Sequence, residues 1–172
     1  MAEAEAIPWG TGQALERYLK ETFGDLIERS ATVVAPEQVE RAAAWIAAAD
    51  RTLVAGMGSS YVAALATSQR LVRLGLTSLC HADSHFQTMQ AALLSPRDTL
   101  LAFSHSGATL ETLSTAEKAR ARGARVVAVT SYARSPLASR ADAVILTGIP
   151  ETPLASGDIR CMVSQLIIAD FL

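Results

Sequence analysis

The stretch Ser-His-Ser-Gly-Ala-Thr-Leu-Glu at 104–111 decides the fold, because it joins a short apolar run to a helical pattern. The apolar run at 99–103 is typical of a strand buried in a parallel sheet, and the helical pattern ends near Gly123. Unpaired N–H groups and the helix dipole favour an anion at the start of such a helix, and Gly107 lets the backbone approach that anion closely. Three residues add hydroxyl donors: Ser104, Ser106 and Thr109. The pattern predicts a phosphate-binding loop, called here the second loop (104–109).

A simpler interpretation of the second loop is an ordinary turn between a strand and a helix. Thr109 would then cap the helix, and the other polar residues would fill the turn. What favours phosphate binding is another loop of the same kind, Gly-Met-Gly-Ser-Ser at 56–60, called the first loop. It also follows an apolar strand pattern and opens a helix, where Ser59 and Ser60 supply hydroxyl groups.

The Gly-x-Gly pair of the first loop is also the beginning of a dinucleotide-binding fingerprint. The third glycine of that fingerprint is missing, because Tyr61 stands in its place, and Asp83 matches the acidic residue that should follow only loosely. A Walker loop is excluded, since no Gly-Lys-Ser/Thr follows. We therefore predict no cofactor, and a small phosphorylated ligand held by neutral donors rather than by lysine or Mg²⁺.

Five apolar segments separated by helical patterns predict an α/β fold. The predicted strands lie at 52–55, 77–81, 99–103, 125–130 and 143–146. The predicted helices lie at 13–29, from Pro36 onward, at 59–74, 85–94 and 110–123, briefly after Ser135-Pro136, and at 158–172. Right-handed crossovers then give a three-layer sandwich whose parallel sheet has the order 2-1-3-4-5. In that order strands one and three are neighbours at the switch point, so we expect both loops to face one crevice.

Length and composition fit a globular domain of 172 residues, of which 50% are hydrophobic and 19% charged. A net charge of −2 gives no electrostatic case for nucleic-acid binding by the chain itself. No apolar stretch approaches the roughly 18–20 residues that span a bilayer, and the acidic N-terminus is not a secretory signal. Two cysteines, Cys80 and Cys161, make no disulfide framework, which indicates a reduced, cytoplasmic compartment.

The residues Cys80, His81, Asp83 and His85 are of types that bind metals. Cys80 and His81 lie on alternate faces of a strand end and cannot easily share one ion, so we predict no metal site. Ser106 is not expected to be a nucleophile either, because the Gly-x-Ser-x-Gly pattern is absent.

At its two loops the chain resembles the sugar isomerase (SIS) domain, a phosphosugar-binding α/β sandwich. The resemblance covers roughly residues 35–172. Within that fold the chain is most similar to the C-terminal sensor domain of RpiR-type bacterial transcription regulators. Local similarity is seen in Asp-Ser-His at 83–85 with Gln87, Ser-Pro-Leu-Ala at 135–138, Glu-Thr-Pro at 151–153 and Ser-Gly at 156–157.

The resemblance implies a phosphosugar site in the crevice. The residues that it implies are Gly58, Ser59, Ser60, Ser104, His105, Ser106, Gly107, Thr109 and, for the sugar, His85. For His105 two orientations stay open, into the crevice or beneath it. Were the protein an aldose–ketose isomerase, Glu151 would be the best candidate base, with His85 as a second candidate catalytic residue.

Isomerising SIS enzymes are similar to one another in placing a glutamate on a helix near the phosphate, whereas the matching C-terminal helix here offers Arg160, Ser164 and Gln165. Glu111, in the first turn of its helix, is interpreted as complementing the helix dipole. We therefore predict a phosphosugar-binding sensor domain of a sugar-responsive transcription regulator, with no catalytic residue. The alternatives are a phosphosugar isomerase or related enzyme, and a structural module whose two loops are closed by their own hydrogen bonds.

RpiR-type regulators carry an N-terminal helix–turn–helix domain, whereas segment 1–34 predicts only a tail and an amphipathic helix before the SIS domain at 35–172. We expect either a sensor domain excised from a regulator or a free-standing SIS protein, with DNA contacted only through a helix–turn–helix absent from this chain. Apolar faces on helices 13–29 and 158–172 predict a homodimer or homotetramer. We expect helix 13–29 to carry the ligand signal to its partner.

Overall fold

The computed structural model describes residues 12–149 and 159–172. Its five-stranded, all-parallel sheet has the predicted order β2-β1-β3-β4-β5 and lies between two layers of helices. The strands are β1 (Thr52–Gly56), β2 (Ser78–Cys80), β3 (Thr99–Phe103), β4 (Arg125–Thr130) and β5 (Ala143–Leu146). The helices are α1 (Gly12–Tyr18), α2 (Gly24–Val33), α3 (Pro36–Ala48), α4 (Ser59–Arg73), α5 (Ser84–Ala91), α6 (Leu110–Ala121) and α7 (Ile159–Phe171).

The central strands are buried on both faces, which is why β1 and β3 are continuous apolar runs rather than alternating ones. Successive residues of each strand point into two different cores. One core, under α3, α4 and α7, includes Phe103 and Ile46, and the other, under α5 and α6, includes Leu100 and Leu94. Helices α4 and α6 therefore cover opposite faces of the sheet.

The predicted fold class and strand order are confirmed, and β3, β4 and β5 have their predicted bounds. The strand predicted at 77–81 is shorter, because only Ser78–Cys80 pairs with β1. The short helix predicted after Pro136 is a single 3₁₀ turn, Ala138–Arg140. Ser135 Oγ accepts the amide of Ala138 at 3.2 Å at the start of this turn, and the backbone becomes extended at Ala141, where the turn ends.

Two predicted helices have different limits in the structure. Helix α5 begins one residue earlier than predicted, because Asp83 caps it by accepting the amide of Phe86 at 2.9 Å, and it ends at Ala91. The helix predicted at 13–29 runs on to Val33 and contains a π-helical segment, Leu19–Phe23, between α1 and α2. Most of the predicted tail lies outside the described residues, and so does the segment 150–158, which includes Glu-Thr-Pro at 151–153. In the part of the chain that is described, no helix is long and apolar enough to cross a bilayer.

Candidate functional site

Strands β1 and β3 place the two loops side by side. Gly56 and Phe103, the last residues of these strands, are register partners. Each strand then leads into a helix on a different face of the sheet, so the loops separate above the carboxyl edge. This is the switch-point arrangement at which open α/β sheets bind ligands.

The first loop is a tight turn held from both faces of the sheet. A Cβ atom on Gly56 would lie 2.7 Å from the carbonyl oxygen of Ser60 and 3.2 Å from that of Phe103, so only glycine fits. Gln87 Nε2, on α5, donates to the Gly56 carbonyl at 3.0 Å, and Gln165 Nε2, on α7, donates to Ser60 Oγ at 3.0 Å. Both glutamines are 1% exposed. Because Ser60 Oγ accepts, its own proton is available to another acceptor.

The second loop is closed by hydrogen bonds between its own residues. Ser104 Oγ accepts the amide of Gly107 at 3.1 Å and lies 3.1 Å from Thr109 Oγ1, and Ser106 Oγ accepts the amide of Ala108 at 3.2 Å. Thr109 has the extended backbone of an N-cap but makes no side-chain cap bond to α6. The Ser106 hydroxyl accepts from the backbone and so keeps its proton for a ligand.

An open cleft of about 490 Å³ lies on the β4 side of the second loop. It is lined by Ser106, Ser131, Tyr132, Ala133, Arg134 and Ser135. This volume lies in the usual range for small-molecule sites. The guanidinium of Arg134 brings a positive charge to a site for which the sequence predicted only neutral donors.

The His105 ring lies between β4 and α7. Its Nδ1 is 2.9 Å from Ser131 Oγ, its Nε2 is 3.4 Å from Cys161 Sγ, and its ring packs edge-to-face on Tyr132 with 5.9 Å between centroids. The carbonyl of His105 accepts from the Ser131 amide and from Thr130 Oγ1, both at 3.0 Å. Both the ring and the backbone of His105 therefore tie the second loop to the segment after β4.

Sequence reasoning missed the hydroxyl residues that follow β4 and β5. Ser131 Oγ lies 2.5 Å from Thr147 Oγ1, and the Thr147 carbonyl accepts from Ser30 Oγ of α2 at 2.9 Å. The sequence did contain a signal for these residues. Parallel strands bring their carboxyl ends to one edge of the sheet, and Ser131 and Thr147 follow β4 and β5 just as Ser104 follows β3.

The remaining candidate residues lie elsewhere at this edge or outside the described ranges. His85 is exposed in the first turn of α5, and Glu151 lies outside the described residues. Burial raises the pKa of the Cys80 thiol from 9.0 to about 11, so it carries a proton at neutral pH. Within residues 12–149 and 159–172, no group of three or more His, Cys, Asp and Glu side chains is placed to hold a metal.

The family model of the SIS domain matches residues 45–172. The chain belongs to the SIS domain family. The matched region contains the sheet from β1 to β5 and both loops. The family predicted from the two loops is therefore confirmed.

Relatives of this SIS domain are bacterial transcription regulators of the helix–turn–helix type. One from Haemophilus influenzae is 31% identical over 99% of the chain and 59% of its own length. The regulator RpiR of Escherichia coli K12 is 30% identical over 81% of the chain and 47% of its own length. The chain thus spans about half the length of the curated relatives it matches.

A solved structure is similar to this chain in both sequence and fold. The NanR protein of Vibrio vulnificus, determined in complex with ManNAc-6P, is 27% identical and has a TM-score of 0.86. The match covers 94% of this SIS domain and 61% of the NanR chain. Sequence and fold together relate the chain to the SIS portion of RpiR-type regulators, as the loop motifs predicted.

Proposed function

We propose that this SIS domain is the ligand-sensing domain of a sugar-responsive transcription regulator and binds a phosphosugar without converting it. The observation that carries the proposal is the pairing of two hydroxyl-rich helix starts at one switch point, in register at Gly56 and Phe103. The ManNAc-6P in the similar NanR protein supports a phosphosugar as the class of ligand.

In the proposed complex the second loop holds the phosphate. Ser104 and Ser106 donate from their hydroxyls, and Thr109 Oγ1, 3.1 Å from Ser104 Oγ, donates to that oxygen and orients it. The unpaired amides at the start of α6 face the same anion, and Arg134 adds a positive charge from the cleft. Gly58, Ser59 and Ser60 of the first loop complete the site, and His85 reaches the sugar from α5.

Binding without turnover is favoured by the side chain that α7 presents to the first loop. An aldose–ketose isomerase needs a base that moves a proton between neighbouring carbons. The group next to Ser60 is the amide of Gln165, which does not accept protons near neutral pH. A phosphosugar isomerase is the alternative function.

We also propose that the domain forms a homodimer, or a homotetramer built from it, in the cytoplasm and contacts DNA only through a helix–turn–helix domain of a longer protein. Three apolar side chains of the N-terminal helical segment support this, because they face solvent: Leu15, Leu19 and Ile27.

Phosphorus NMR of the chain with a panel of hexose, pentose and amino-sugar phosphates, followed for hours, tests the proposal. We expect one ligand resonance to broaden or shift with no new species. In the double variant Ser104→Ala with Ser106→Ala that change should disappear, because two lost hydrogen bonds to an anion weaken affinity by about a hundredfold or more.

The matched control is Ser114→Ala with Ser139→Ala, which removes two hydroxyls outside both loops and should leave the ligand shift unchanged. A new phosphate resonance growing with time would establish turnover and replace the sensor by an isomerase. Full affinity in the Ser104, Ser106 double variant would contradict the site assignment, and no change with any sugar phosphate would contradict phosphosugar binding.

A further inference from the structure

Hydrogen bonds form a line from the second loop to the N-terminal helical segment. His105 Nδ1 lies 2.9 Å from Ser131 Oγ, which lies 2.5 Å from Thr147 Oγ1. The Thr147 carbonyl then accepts from Ser30 Oγ on α2 at 2.9 Å. These four residues, called here the hydroxyl relay, belong to the second loop, the ends of β4 and β5, and α2.

One hydrogen bond of the relay, from Ser30 to Thr147, joins α2 to the end of β5. Leu26 and Ser30 are the buried residues of α2, 1% and 6% exposed. The helix also packs closely on the residue after Thr147, since a Cβ atom on Gly148 would lie 2.9 Å from the Arg29 carbonyl oxygen. Thr147 is fully buried, so its polar groups cannot exchange their protein partners for water.

A second contact path from the same imidazole leads to α2 through apolar side chains. His105 Nε2 lies 3.4 Å from Cys161 Sγ on α7. Cys161 belongs to the buried cluster that contains Leu26 of α2 and Ile149. The His105 ring is therefore connected to both buried residues of α2. Hydroxyl groups connect it to Ser30, and apolar packing connects it to Leu26.

We propose that His105 is a positioning residue and that the hydroxyl relay couples occupancy of the second loop to the order of α2. The inference rests on the proposed function, because it takes a phosphate group on the second loop as its input. A bound anion fixes the loop backbone and with it His105, whose carbonyl and ring are both tied to the segment after β4. Order in the loop then favours one arrangement of Ser131, Thr147 and Ser30, and α2 becomes more ordered.

Hydrogen–deuterium exchange of the full chain, with and without inorganic phosphate as the probe, tests the relay. We expect phosphate to slow exchange in peptides covering 26–33 by about fivefold or more, the lower range of typical coupling between sites. In Ser30→Ala and in Thr147→Val, phosphate should still slow exchange in the second loop, whereas its effect on 26–33 should fall to what the apolar path through Cys161 carries. Phosphorus NMR reports binding of the same probe independently.

The matched control is Thr32→Val, because the Thr32 hydroxyl bonds to the Glu28 carbonyl of its own helix at 2.9 Å and not to the sheet. It should keep the full phosphate effect on 26–33. If Ser30 had a purely structural role, Ser30→Ala would speed exchange in 26–33 equally with and without phosphate, and that result would overturn the relay. An unchanged phosphate effect on 26–33 in both relay variants would also overturn it. Phosphate binding without any response of 26–33 in the unmodified chain would overturn the relay alone, whereas no phosphate binding at all would overturn it together with the proposed site.

Discussion

At the residue scale, side chains that are remote in the sequence shape the two loops. Gln87 and Gln165 hold the first loop from opposite faces of the sheet, and Ser131 and Thr130 hold the second through His105. These bonds fix the carbonyls of Gly56 and His105, the hydroxyl of Ser60 and the His105 ring in one arrangement. The loops are therefore preorganised, which lowers the entropy that a ligand must lose on binding.

The Gly107 position should be intolerant of any side chain. Its φ is +63°, and a Cβ atom would overlap Ser135 Oγ and lie 2.9 Å from Thr130 Oγ1. We expect Gly107→Ala to lower the free energy of unfolding by about 3 kcal/mol, from backbone strain and overpacking together, and to abolish phosphate binding. Urea unfolding and phosphorus NMR measure the two effects.

Gly75→Ala separates strain from overlap. Gly75 has a φ of +81° after α4, but no atom lies within 4 Å of an added Cβ. We expect this control to lose only the strain component, about 1–2 kcal/mol, and to keep phosphate binding. Equal losses in the two variants would show that contact with Ser135 is unimportant.

At the element scale, the edge of the sheet opposite the loops holds β1 and β3 together. Asp98, 2% exposed just before β3, pairs with Arg51 just before β1, with 3.1 Å from Nε to Oδ1 and 3.2 Å from Nη2 to Oδ2. Asp98 Oδ2 also accepts the amide of Ser95 at 2.7 Å. Because the two loops begin at the far ends of these same strands, their side-by-side position depends on this register.

Removing the charge of Asp98 should destabilise the domain. We expect Asp98→Asn to lower the free energy of unfolding by about 2 kcal/mol, because it weakens hydrogen bonds to a buried carboxylate while Arg51 stays partly solvated. Thermal or urea unfolding measures the loss.

The matched control is Asp50→Asn, in an exposed pair with Arg97. It should cost about 0.5 kcal/mol or less, since exposed ion pairs contribute little. If Asp98→Asn lowered the free energy of unfolding by no more than Asp50→Asn does, the buried pair would not stabilise the β1–β3 register.

At the scale of the whole molecule, apolar side chains face solvent on the N-terminal helical segment and on the outer side of α4 and α7, as they also do on α5. Leu15 and Leu19 lie one turn apart on the first, and Ile167 and Phe171 one turn apart on the second. Apolar surface of this kind is most simply covered by a second copy of the chain.

We expect the unmodified chain to sediment as a dimer or tetramer. The double variant Leu15→Glu with Leu19→Glu should sediment as a smaller species, because its subunits dissociate. Losing two apolar contact side chains should weaken self-association by about thirtyfold or more. Arg17→Glu, an exposed charge change on the same helix, is the control and should leave the assembly intact. A monomer at all concentrations of the unmodified chain would contradict the proposed homodimer.

The sequence by itself determined the fold class, the strand order and the family of this protein. Apolar runs such as 99–103 are local patterns, and the crossover rule arranges them with little freedom. The two loops were equally visible, because glycine and hydroxyl residues between a strand and a helix lie within a few positions of one another. Helix and strand ends were less accurate, as at Ser78–Cys80, since pairing with β1 sets where that strand stops.

Only the tertiary structure decided how the loops are held. Gln165 and Ser60 are 105 positions apart, Ser30 and Thr147 are 117 apart, and His105 and Cys161 are 56 apart. No local pattern encodes such contacts, because they depend on which faces of distant helices meet when the sheet closes its two cores. For the same reason the sequence could not say that the His105 ring lies between Ser131, which follows β4, and Cys161 of α7.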